Sequence, residues 1–350
     1  MGLRTVFSIV VILSAAWAGP SMAQQTLGDL VASGGYDWII GRWVASFDDD
    51  RKMEFRFDWV LDKHAVLSGI QIGGDSASQT PESAAWGPYQ YQGLIMLAPG
   101  RAEPFDEGAD DRGATWKGTW FEDSTGLVHR IERTEPNGLK RKEEIVFDTV
   151  DTDTVTIAIY ATGASGARNA KPWNKMTYKR QQAKADPVSA ATETAGHATD
   201  YQKLGDIVSE GGYEWMTGKW KATQGDQTYE LEFKPILSMH AALADVKVDD
   251  VKYLVMITYV PSRQEVVDFG VNNRGGMWKG TWEQDGSNAL NKIEYTKADG
   301  TTLKVQHVYV RTNNDEMNVR QYEVGTDGTR AAESNRDLIF KRQKPATQAK

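Results

Sequence analysis

Two identical pentapeptides carry the densest chemistry in this chain of 350 residues, twelve of which are tryptophan and none cysteine. Trp116-Lys117-Gly118-Thr119-Trp120 recurs unchanged as Trp278-Lys279-Gly280-Thr281-Trp282. Side chains alternate faces along a strand, so each copy puts two indoles and a glycine on one face. Such a face is either packed core or the wall of an apolar pocket. The missing side chain lets a backbone or a ligand approach closely. Lys117 and Lys279 fall on the opposite face, toward solvent.

Ionisable residues near these pentapeptides also recur. Asp106/Asp268 and Arg112/Arg274 precede them, at a spacing that suits either a loop-bracing ion pair or an arginine that holds an anionic ligand group. Glu132/Glu294 follows. Turned into an apolar interior, it would be a carboxylate with a raised pKa and a candidate general base, but Ile131/Ile293 beside it is equally placed to face inward. His64 and His240 are the histidines common to both halves, each just before an alanine at the start of an expected strand. They read as hydrogen-bonded strand-end groups or as ligand contacts.

No Gly-X-Ser-X-Gly elbow, His-Glu-X-X-His helix or phosphate-binding glycine loop is present. Without cysteine there are no disulfides and no thiolate zinc sites, and the remaining candidate ligands lack metal-site spacing. The expectation is therefore no metal and no cofactor. A net charge of −8 argues against a nucleic-acid partner, because neutralising phosphates takes a basic face.

These residues recur because the chain is two copies of one unit. Gly34-Gly35-Tyr36-Asp37-Trp38 returns as Gly211-Gly212-Tyr213-Glu214-Trp215, and Gly41-Arg42-Trp43 as Gly218-Lys219-Trp220. The offset is 177 at first, 176 by Phe57/Phe233 and 162 from Pro99/Pro261 onward, and the fall from 176 to 162 places 14 extra residues in the first copy between Gly73 and Tyr89. Copy one spans 27–181 and copy two 204–343. The segment 182–203, rich in Ala, Thr and Ser, reads as a flexible linker spanning ~25 Å, so the halves sit side by side or tumble independently.

Residues 1–23 read as a signal peptide. Arg4 opens it, Val6 to Ala18 is apolar, and Ser21-Met22-Ala23 sets small residues before a cut near Ala23. That implies a periplasmic or secreted protein. No stretch approaches the ~20 apolar residues of a membrane-spanning helix.

Period-two alternation dominates both copies, as in Met53-Glu54-Phe55-Arg56-Phe57-Asp58-Trp59 and Tyr229-Glu230-Leu231-Glu232-Phe233. It signals half-buried strands. Asn137-Gly138, Asp299-Gly300 and Asp327-Gly328 mark tight hairpins. Leu27 to Ser33 and Leu204 to Glu210 read as a short helix before each strand set. The fold class is all-β, an up-and-down barrel or a sandwich. Barrel closure makes the first and last strands neighbours, which would lay Arg180 over Trp43 and Arg342 over Trp220.

With this opening Gly-X-Trp and closing Arg, each copy resembles the calycin superfamily, the lipocalins and their bacterial lipocalin-like relatives, although the disulfides of animal lipocalins are missing. The resemblance implies two tandem lipocalin-like barrels binding a small apolar or amphipathic molecule. Trp116, Trp120, Trp278, Trp282, Arg112, Arg274, His64 and His240 are the candidate contacts, with Trp86 and Tyr89 of the insert as a lid over the first barrel. Two other readings stay open. One is an isomerase or cyclase using Glu132 or His64, the other a structural envelope protein with filled barrels.

Overall fold

A computed structural model describes residues 25–46, 52–73, 89–163, 165–181 and 201–344. The first unit begins with helix α1 (Leu27–Ser33), followed by strands β1 (Gly41–Ser46), β2 (Lys52–Val60), β3 (Ala65–Gly73), β4 (Tyr89–Met96), β5 (Phe105–Asp110), β6 (Thr115–Asp123), β7 (Gly126–Thr134), β8 (Lys140–Asp151), β9 (Thr154–Ala161) and β10 (Asn174–Gln181). The second unit repeats it with α2 (Leu204–Glu210), β11 (Gly218–Gln224), β12 (Gln227–Ile236), β13 (Ala241–Val248), β14 (Val251–Val260), β15 (Glu265–Asn272), β16 (Met277–Asp285), β17 (Asn288–Thr296), β18 (Thr302–Arg311), β19 (Glu316–Glu323) and β20 (Arg336–Arg342).

Every strand pairs antiparallel with its neighbours in sequence, and the last pairs with the first, so each unit is a closed ten-stranded meander. Closure removes the sheet edges. The expected all-β tandem barrels, each with a short helix in front, are present. Gly138 and Gly300 take φ of 85° and 84° at matching hairpins, the left-handed conformation that glycine adopts without steric cost.

The closing residues explain why the sheet shuts where it does. Trp43 pairs with Arg180 and Trp220 with Arg342 across the seam. Each guanidinium lies over its indole, 4.2 Å and 4.1 Å from the ring centroid. Arg180 also donates to the carbonyls of Ile40 (2.7 Å) and Trp38, and Arg342 to those of Thr217 (2.7 Å) and Trp215 (2.5 Å). Both indoles are 1% exposed. The cation–π contact contributes ~0.5–2 kcal/mol and each charge-assisted bond ~1.5–3 kcal/mol.

The barrels pack against each other. Leu94, Met96 and Phe105 on the outer face of β4–β5 join Leu254, Met256, Phe269 and Val271 from β14–β15 in one buried apolar cluster. The contact is reciprocal. The turn Leu61–Lys63 touches β14, and its counterpart Leu237–Met239 touches β4. All six turn residues have positive φ, a conformation costing L-residues ~1–2 kcal/mol each. Burying Leu237 in the apolar cluster offsets part of that cost. Lys279–Glu107 at 2.9 Å and Asn273–Asp62 at 3.1 Å rim the interface. Of the two arrangements open from sequence, the structure therefore has the side-by-side one.

The insert interrupts the β3–β4 hairpin, where barrel two has the tight turn Val248↔Val251. The signal-peptide segment, Trp86 and most of the linker (182–200) lie outside the described residues. Among the described residues no helix is long and apolar enough to cross a membrane.

Candidate functional site

The glycine inside each pentapeptide marks a polar cluster buried in a barrel. A Cβ on Gly118 would stand 2.2 Å from His129 Nε2 and 2.3 Å from Asp106 Oδ1. No side chain fits there, because the space is taken by a hydrogen-bonded pair. His129 Nε2 lies 2.7 Å from Asp106 Oδ1, and the Tyr91 hydroxyl donates to Asp106 Oδ2 at 3.2 Å. Gly93 and Gly108, paired across β4 and β5, make room for Tyr91 in the same way, since a Cβ on them would sit 2.1 Å and 2.6 Å from its hydroxyl. The Trp120 indole stacks on the His129 imidazole at 4.1 Å and 7°. All four residues are buried, and burial holds the Tyr91 hydroxyl well above its usual pKa.

Barrel two keeps the seat and changes the occupants. Asp268 matches Asp106, and Asn291 stands where barrel one has His129. Asp268 Oδ2 accepts from Asn291 Nδ2 at 2.7 Å and from Trp282 Nε1 at 3.0 Å. Burial pushes the Asp268 carboxyl up to about 7. His307, paired with Asn291 on the next strand, is pushed down to about 4 by the same cause. Its Nε2 has no hydrogen-bond partner among the described residues, and the residue borders an internal cavity of about 60 Å³ with Trp278 and Tyr309.

Each barrel also has a larger apolar cavity between its short helix and the nearby barrel end. The first, about 470 Å³, is bordered by Leu30 and Val31 of α1 and by Phe57, Ile95 and Trp120. The second, about 370 Å³, is bordered by Ile207 and Val208 of α2 and by Phe233, Ile257 and Trp282. Both volumes lie within the ~300–1,000 Å³ of small-molecule pockets. The helices are placed by close backbone approach. A Cβ on Gly28 would meet Lys63 Cβ at 2.8 Å, and one on Gly205 would meet Met239 Cβ at 2.8 Å.

The candidate residues separate into groups. Trp120 and Trp282 border the helix-capped cavities, while Trp116 and Trp278 lie deeper, against Tyr91 and Tyr253. Arg112 lies over the Tyr89 ring at 5.3 Å, and Arg274 donates to Asp250 at 2.7 Å. The loop-bracing Asp–Arg pair does not form, because Asp106 and Asp268 point inward to the buried clusters instead. His64 Nδ1 lies 3.0 Å from the Leu61 carbonyl, and His240 is buried near Gly113 of the other barrel. Neither histidine borders a helix-capped cavity. Glu132 points outward to Lys140 at 2.6 Å, which lowers its pKa, and Glu294 pairs with Lys304. The general-base expectation for this pair is therefore corrected. Tyr89 points into barrel one and its hydroxyl donates to Asp110 at 3.3 Å. It starts β4 at the end of β3 opposite the Leu61–Lys63 turn. The insert is thus rooted away from the helix-capped cavity.

Comparison with known proteins adds little. No family model matches the chain, and no curated protein matches it. Among solved structures it is similar to a protein of unknown function from the DUF3598 family of Nostoc punctiforme. That match has 9% identity and a TM-score of 0.21, over 87% of this chain and 97% of the other. A likeness so slight carries no argument.

Sequence reading missed Tyr91 and His129 as partners of Asp106 in one cluster, and Asn291 as the partner of Asp268 in the other. Their signal was the glycine itself: three glycines at inward positions of adjacent strands, Gly93, Gly108 and Gly118, beside an inward Asp. It also missed the interface, whose mark is the unbroken apolar run Leu94-Ile95-Met96-Leu97, since a strand buried on both faces does not alternate.

Proposed function

We propose that this is an exported protein whose barrels hold small apolar or amphipathic molecules in the helix-capped cavities. One observation carries the reading. Two matching cavities of ligand size are walled by apolar helix faces and by the second tryptophan of each repeated pentapeptide. The calycin-like opening Gly-X-Trp and closing Arg are consistent with it. The isomerase or cyclase reading is less favoured, because Glu132 faces Lys140 on the outside and His64, held at the Leu61 carbonyl, does not border the cavity. The Asp106–His129 pair lies behind Trp120 and does not border the cavity.

The test is titration of the full chain with N-phenyl-1-naphthylamine, a neutral apolar fluorophore. Saturable binding at two sites is expected. Val31→Trp and Ile207→Trp should each remove one site by filling its cavity. A dye signal that fails to saturate, or that survives both substitutions in a folded protein, refutes the reading.

A further inference from the structure

We infer that the cavity of barrel two selects a cationic amphiphile, an alkyl chain ending in an ammonium group, over an anionic one. The inference rests on the proposed binding function and concerns the same site. The walls are apolar, and the charged residues bordering the cavity are Glu210 and Glu283, both exposed at its rim. Among the described residues no Lys, Arg or His borders it. Two neighbouring lysines are already engaged, Lys292 with Glu283 at 2.6 Å and Lys203 with the Ser238 carbonyl at 3.4 Å. A carboxylate headgroup entering here would face Glu210, which has no cationic partner among the described residues, and Glu283, whose charge Lys292 already offsets in part. An ammonium group would face carboxylates and aromatic rings.

Trp282 strengthens the case. Its N–H donates to Asp268 Oδ2 at 3.0 Å, so a carboxyl group lies behind the indole. A carboxyl oxygen accepting from the N–H makes the ring face more electron-rich, most of all when Asp268 is ionised above its raised pKa of about 7, which favours a cation. Barrel one lacks this arrangement. Asp106 is turned to His129 and Tyr91, and Trp120 Nε1 has no partner among the described residues. At the helix contact barrel one also has Lys63, where barrel two has the neutral Met239. The rim charge is alike in the two cavities, since Glu103 and Glu122 border the first with no Lys, Arg or His among the described residues, so it is the Trp282–Asp268 contact that sets barrel two apart.

The experiment compares decyltrimethylammonium, 1-decanol and decanoate, each below its micelle concentration, with the full chain carrying Val31→Trp to fill the first cavity. Binding is read by calorimetry and by the Trp282 indole N–H resonance, assigned by its loss in Trp282→Phe. The ammonium should bind about tenfold tighter than decanoate, the span expected of cation–π and rim-charge terms. Glu210→Gln with Glu283→Gln should weaken the ammonium and leave decanol within about twofold. Decanoate binding as tightly as the ammonium, or an equal loss for ammonium and decanol in the Gln variant, overturns the inference and leaves the cavity reading intact. Failure of all three probes to bind or to move Trp282 in the wild-type chain overturns the cavity reading itself. If Val31→Trp fails to fold, the Trp282 resonance in the wild-type chain makes the same comparison.

Discussion

Adding a single methyl group at Gly118 should be among the most damaging small changes available to barrel one. The new Cβ would stand 2.2 Å from His129 Nε2 and 2.3 Å from Asp106 Oδ1, and neither group can retreat. Asp106 is held by Tyr91, and His129 is stacked under Trp120. The methyl must either push the strands apart, an overpacking cost of ~1–3 kcal/mol, or break the buried pair at ~3–5 kcal/mol. Taking about 3 kcal/mol as the net loss, the melting temperature should fall by about 6–12 °C, at roughly 2–4 °C per kcal/mol. Gly69→Ala is the control. There the nearest atom, the Tyr91 carbonyl oxygen, is 3.6 Å away, and alanine should be neutral or stabilise by ~0.5–1 kcal/mol. Calorimetric melts of wild type and both variants give the comparison. In a background of Asp106→Ala with His129→Ala the methyl finds space, so Gly118→Ala should then cost less than ~1 kcal/mol, a coupling that a double-mutant cycle measures. A Gly118→Ala protein that melts with Gly69→Ala, or the same loss in both backgrounds, would show that the glycine is not there to seat the polar pair.

Arg342→Met should lower the urea midpoint by the equivalent of about 2–4 kcal/mol, because it strips the seam of a cation–π contact and two carbonyl partners; a midpoint unchanged from wild type would remove the closing role. Met256 is fully buried between the barrels, so Met256→Glu should unseat them, seen as a larger radius of gyration by X-ray scattering with the β-sheet circular dichroism retained. The isolated fragment 204–343 should fold and self-associate through the apolar face it exposes, which sedimentation velocity would detect; a strictly monomeric, folded fragment contradicts this. The pH dependence of barrel two should reflect two opposed groups. Asp268, raised to about 7, binds its proton more tightly folded than unfolded, so its contribution falls as pH rises from about 4 to 7. His307, lowered to about 4, loses stability as pH falls from about 6.5 to 4. Relative to wild type, Asp268→Asn should therefore tilt stability upward with pH over this window and His307→Phe downward; parallel profiles would mean that neither group is buried as described.

The local patterns that decided the fold were readable from the chain alone. Alternation gave the strands, Asn-Gly and Asp-Gly the turns, and the offset of the repeat located the insert in the β3–β4 hairpin. The pairing of Arg180 with Trp43 and of Arg342 with Trp220 was also legible, because a meander closes only by pairing the free edges of its first and last strands. Each of these is fixed by steric preferences and hydrogen bonding along the strand or between adjacent strands. The site was not legible in that way. Asp106, His129 and Tyr91 lie on three strands, and only the register of β4 to β7 brings them to one point. Whether Glu132 or Ile131 faces inward is a parity that one residue of slip reverses, and Asp268 acquires its raised pKa only from the shell that closes over it. The helix-capped cavities and the apolar seam between the barrels likewise arise from surfaces far apart in sequence. Alternation records which face of a strand is apolar. What that face meets is decided when the barrels close and pack.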